Sequence, residues 1–144
     1  MATTEQLLAA YQQDQVNLAS PEALTLMLYR AALKGVGQTR EVLGGSAFEV
    51  FSASQLARDI LLELADNVNM DHPQAGSMRD LYLFCWRTVI GAPSHADPEA
   101  QLASVETVLK NLIDGLETYI KGQPASPSME QVQPKEAPSL NFLG

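Results

Sequence analysis

Apolar residues recur at three- and four-residue intervals through four stretches of this chain, and polar or turn-forming residues break the pattern between them. The spacing predicts helices over 21–43, 47–70, 74–90 and 98–121. The first is announced by Ser20-Pro21-Glu22, a capping hydroxyl, a proline where no N–H is missed, and a negative charge facing the open amides. Asp97-Pro98-Glu99 repeats the signal for the fourth. Gly44-Gly45 and Gly122 mark helix ends where left-handed backbone is common, with Ser46 as the cap of the second helix. Asn69, Asp71, His72 and Pro73 form one turn, and Gly91-Ala92-Pro93 opens another.

The first and third helices are apolar on more than one side. Leu24, Met27, Leu28, Ala31 and Gly35 make one stripe of the first, and Leu26, Tyr29, Leu33 and Val36 a second. Either both stripes are buried in the chain's own bundle, or part of the second receives a partner. In the third helix Met78, Leu81, Tyr82, Cys85 and Val89 form the main stripe. Leu83, Phe84, Trp86 and Ile90 widen it until burial on two sides is expected. The second helix carries its core on Ala57, Ile60, Leu61, Leu64 and Val68, and the fourth on Leu102, Val105, Leu109, Leu112 and Leu116. Phe48 and Phe51 either close one end of that core or stay exposed at a contact site.

Short connections return each helix beside its predecessor, so the expected architecture is all-α, an antiparallel four-helix bundle over residues 20–122. Residues 1–19 precede it as a short helical segment in which Leu7 and Tyr11 share a face. Residues 123–144, with Pro124, Pro127, Pro134 and Pro138, have the composition of a disordered tail, though Leu140, Phe142 and Leu143 near its end could dock on an apolar groove.

Composition narrows what such a bundle can do. Nine Lys and Arg against 17 Asp and Glu leave a formal charge of -8, which repels nucleic-acid phosphates and anionic membranes. No membrane insertion is expected, and the N-terminal stretch lacks the basic and apolar regions of a secretory signal, so the expected location is the cytoplasm. The lone Cys85 lies in an apolar run and reads as buried packing. His72 and His95 fall in separate turns without the spaced partners of a zinc site, and the carboxylates are spread over helix surfaces. No nucleophile with a base, no metal or other cofactor site and no phosphate loop emerges, so a catalyst is not expected.

The stretch AYQQDQVNLASPEALTLMLYRAALK, with A-Y, then V, then A-S-P, then L-x-x-M-L-Y-x-x-A-L, resembles the N-terminal signature of the flagellar secretion chaperone FliS family. Asn69-Met70-Asp71 and Leu81-Tyr82 fit that family more loosely, and the resemblance spans roughly residues 5–121 by the extent of the bundle pattern. It implies an antiparallel bundle that binds the C-terminal segment of newly made flagellin in the cytoplasm, prevents its early polymerisation and delivers it to the flagellar export gate. It also implies that the N-terminal segment acts as a lid, with Leu7 and Tyr11 standing in for client side chains. The client groove would then draw on Leu26, Tyr29 and Leu33 of the first helix and on Trp86 and Ile90 of the third. The competing expectation is a structural bundle that associates with itself as a homo-oligomer through the same apolar faces.

Overall fold

The computed structural model describes residues 20–122, together with Thr4 and Gln6. Four helices follow in order: α1 (Pro21–Glu41), α2 (Ala47–Asp66), α3 (Ala75–Gly91) and α4 (Pro98–Lys121), with a short 3-10 turn, Ala92–Ser94, between the last two.

The caps behave as the residue types require. Ser20 is extended and its hydroxyl accepts the Ala23 N–H at 3.1 Å, with Pro21 opening the helix. Asp97 accepts the Ala100 N–H at 3.0 Å in the same manner. At α2 the cap is reciprocal: Ser46 accepts from the Glu49 N–H while Glu49 Oε1 accepts from the Ser46 N–H. The glycines end helices by a different route from the one expected. No described glycine has a positive φ. The chain leaves α1 through tight backbone bonds, Val42 N–H to Thr39 O and Gly45 N–H to Val42 O. Gly45 is instead suited to its place by the Glu49 carboxylate, which would lie 2.7 Å from any Cβ there. The second helix also stops short of residue 70. Asn67 Nδ2 donates to the Glu63 carbonyl at the end of α2, and Val68 still reaches the core from the turn beyond.

α1 packs extensively against α2 on one side and α4 on the other, while α3 packs extensively on α2 and only thinly on α4. Gly35 brings α1 and α2 together, since a Cβ at that position would stand 3.2 Å from the Ala57 Cβ. Both stripes of α1 are consequently consumed within the bundle: Leu24, Leu26, Leu28, Tyr29, Gly35 and Val36 are all buried. Across the centre the Tyr29 and Tyr82 hydroxyls meet at 2.6 Å, with ring centroids 6.2 Å apart. This pairing answers the cost of burying two phenols. Burial pushes Tyr29 up to about 12 and raises Tyr82 further, so both stay neutral.

The third helix departs from expectation. Tyr82, Cys85 and Val89 are buried, but Phe84 and Ile90 are exposed, so its wide apolar arc is covered on one side only. Periodicity reports the angular width of an apolar arc and is blind to whether a neighbour exists to fill it.

Candidate functional site

The large exposed hydrophobic residues among those described are Phe48, Phe51, Leu62, Met70, Phe84 and Ile90. All six lie on α2, on α3 or in the turn between them, and none on α1 or α4. Phe48 is 77% exposed and Phe51 62%, far beyond the partial exposure that a helix surface commonly gives an aromatic ring.

Three of them, Phe48, Phe51 and Ile90, border a groove. Ala47, Phe48, Phe51, Ser54 and Arg58 from the first half of α2 face Val89 and Ile90 from the end of α3 and Pro93 from the turn after it, around a cavity of about 440 Å³. The antiparallel course of α2 and α3 makes this possible, because it sets the start of one helix beside the end of the other. On α2 the spacing 48, 51, 55, 58 and 62 places Phe48, Phe51, Arg58 and Leu62 along one flank, at intervals of three, four, three and four. Arg58 is the one charged residue of the lining, and it is already engaged. Its guanidinium lies over the Phe51 ring, 4.0 Å from the centroid, and donates to Ser54 Oγ and to the Phe51 carbonyl, each at 3.0 Å. The groove therefore presents mainly aromatic and aliphatic surface with one guanidinium laid over the Phe51 ring, which suits a largely apolar occupant.

Thr4 lies just outside this flank, its hydroxyl donating to Asp59 Oδ2 at 2.8 Å. Leu7 and Tyr11, and likewise Leu140, Phe142 and Leu143, fall outside the described residues.

The other residues expected to form a groove are not brought together. Tyr29 is 2% exposed and hydrogen-bonded in the core, and Leu26 is buried as well, so neither offers surface in this conformation. Leu33 is half-buried and seven residues from both Leu26 and Arg40, on the flank of α1 from which Arg40 reaches Glu99 and Glu106 of α4. Trp86 is half-buried on α3, one turn before Ile90. Of the five described residues, Ile90 alone lines the groove. Its partners Phe48 and Phe51 carried a visible signal, since two phenylalanines stand outside the core stripe of α2, but the sequence left open whether they close the core or face outward.

Among the other described residues, the histidines and the cysteine are engaged locally or buried. His72 and His95 each accept a backbone N–H two residues on, from Gln74 and Asp97, at 3.1 Å, so each imidazole closes its own turn. Burial pushes the Cys85 thiol up to about 11, away from the thiolate form that reacts. Among the described residues no group of three His, Cys, Asp or Glu is placed to hold a metal ion, and no helix is long and apolar enough to cross a membrane.

Two comparisons bear on this geometry. The family model described as flagellar protein FliS matches residues 4–123. The flagellar secretion chaperone FliS of Bacillus subtilis (strain 168) is 30% identical over 115 residues, which cover 79% of this chain and 86% of that protein.

Proposed function

The chain belongs to the FliS family, and on that premise we propose that its α2–α3 groove takes up the C-terminal segment of newly made flagellin. The bundle hides that segment from polymerisation in the cytoplasm and delivers it to the export gate.

The observation that carries this reading is the uncovered pair Phe48 and Phe51 beside Ile90, on a groove whose one charged group lies over the Phe51 ring. A filament subunit's terminal segment must be apolar to assemble and must be covered until it does. An amphipathic helix laid against this face, with apolar side chains at three- and four-residue spacing, would meet the same spacing on α2. If the segment is unfolded when free, its ordering cost is offset by a contact longer than the groove alone, and Leu62 extends the apolar flank of α2 beyond it. The acidic surface keeps the loaded complex soluble.

The test is calorimetric titration of the full chain with a peptide spanning the C-terminal segment of flagellin from the same organism. Binding with a negative heat-capacity change supports burial of an apolar face. Absence of binding by a folded bundle contradicts it. The same exposed phenylalanines would also serve a self-associating bundle, and a mass that rises with concentration in the absence of client would favour that role instead.

A further inference from the structure

A cation on the wall of an apolar groove constrains what the groove can hold. We infer that Arg58 sets the register of the client, its guanidinium pairing with one acidic side chain on the largely apolar segment that the groove takes up. This rests on the reading of the groove as a client site and adds a specificity-determining residue to it.

Arg58 is an ordered cation whose counter-ion is missing. Arg30 and Arg40 each meet glutamates of α4, but among the described residues no carboxylate lies within ion-pair distance of Arg58. Its neighbour in sequence, Asp59, accepts from the Thr4 hydroxyl. Arg58 is held instead by neutral groups: the Phe51 ring, 4.0 Å away, Ser54 Oγ and the Phe51 carbonyl. Ser54 is 4% exposed and itself donates to the Phe51 carbonyl at 3.0 Å, so the clamp is built into the helix.

The way this clamp spends the guanidinium's donors leaves a recognition edge. A guanidinium has five N–H groups in a rigid plane. The bonds to Ser54 and to the Phe51 carbonyl use the Nε–Nη2 edge. The Nη1–Nη2 edge, two parallel N–H groups with the spacing of a carboxylate's oxygens, keeps its capacity for a bidentate pair. Because stacking already fixes the side chain, little further rotamer freedom is lost when that pair forms.

The surroundings turn this capacity into a selection. The groove lining contains no Asp or Glu, so in a chain of charge -8 the pocket is locally positive. A wholly apolar segment laid over Arg58 would strip water from the guanidinium and return nothing, which is costly. A segment with a carboxylate at that level is accepted, and the pair strengthens as the client excludes water. Apolar residues flank Arg58 on α2 in both directions, Phe51 before it and Leu62 after it, so the client continues past this point and the carboxylate belongs to a side chain. With the guanidinium over Phe51, that acidic residue lies three or four positions from the apolar side chain that meets Phe51, one turn along a helical client.

The experiment is a mutant cycle by calorimetry on the full chain. The wild type, R58Q and R58K are titrated with the C-terminal flagellin peptide and with versions in which each Asp or Glu is changed singly to Asn or Gln, or the terminal carboxylate is amidated. R58Q should weaken binding about three- to tenfold, between an exposed and a desolvated pair, and R58K by less. One acidic position should show the same loss with the wild type and none with R58Q, and added salt should weaken the wild type more than R58Q. Equal affinity of wild type and R58Q overturns the inference. So does a loss in R58Q that is the same for every peptide and insensitive to salt, which would assign Arg58 to holding Phe51 alone. A loss confined to the amidated peptide also overturns it, since the client would then end at Arg58. If the folded wild type binds no peptide, the flagellin reading itself fails and takes this inference with it.

Discussion

The two halves of this bundle start from similar apolar patterns and finish with opposite surfaces. Along the α1–α4 seam both apolar stripes of α1 are covered, and the rim is polar. All three ion pairs among the described residues join these two helices: Arg30 with Glu117, and Arg40 with Glu99 and Glu106. Along the α2–α3 face the core stripes are equally well buried, yet Phe48, Phe51 and Ile90 remain outside. α1 has a neighbour on each flank, whereas α3 is packed firmly on one flank only. An apolar arc wider than its neighbours can cover is destabilising in solubility terms and is retained where something else covers it. In the proposed reading, the covered surfaces of this fold serve stability and the uncovered α2–α3 groove serves recognition.

That division can be broken from either side, and the core buried beneath both halves should give the larger stability effects. Leu28→Ala in α1 or Ile60→Ala in α2 removes a fully buried side chain from the core, and should cost about 2–5 kcal/mol in urea unfolding. A loss under about 1 kcal/mol would mean that this is not the closed core described here. Tyr82→Phe takes the hydrogen-bond partner from the buried Tyr29 hydroxyl and should cost about 1–2 kcal/mol by the same measurement. Its combination with Tyr29→Phe should cost less than the sum of the two single changes.

Alkaline sensitivity is a gentler effect. The unfolded Cys85 thiol releases its proton above its ordinary value of 9.0, whereas the folded one holds it to about 11. The folded state therefore binds more protons between those values, and stability falls as pH rises through that window. Tyr29, raised from 10.0 to about 12, extends the fall upward. Melting temperature followed from pH 8 to 11 should decline, and Cys85→Ala should flatten the first part of the decline. The smallest effect belongs to the rim. Arg40→Gln should lower the urea midpoint only slightly, and less so in high salt, because the Arg40–Glu99 pair is exposed to solvent and ions.

Much of the buried core was legible in the sequence. Ser20-Pro21 and Asp97-Pro98 located two helix starts to the residue, and the stripes through Leu28, Ile60, Leu64, Val89 and Leu109 named buried positions. Those features depend on local hydrogen bonding and angular spacing, which a sequence contains. Tertiary pairing is not contained in it. The double stripe of α1 and the wide arc of α3 look alike as patterns, and only the presence of α4 beside α1 separates burial from exposure. For the same reason the pattern points to Leu26, Tyr29 and Leu33 with Trp86 and Ile90 at a groove, and leaves open whether Phe48 and Phe51, which line it beside Ile90, close the core or face outward. The glycine-rich helix ends were readable as ends but not in their geometry, since tight backbone turns replaced the left-handed conformation.

The most direct test of the division is one double variant measured twice. Phe48→Ser combined with Phe51→Ser removes the two most exposed aromatic rings of the described surface and leaves every buried core residue in place. Urea unfolding should change by no more than about 1 kcal/mol, while calorimetric affinity for the C-terminal flagellin peptide should fall at least about tenfold. Unchanged affinity, or a stability loss of the size seen for a core truncation, would contradict a recognition role for the open face.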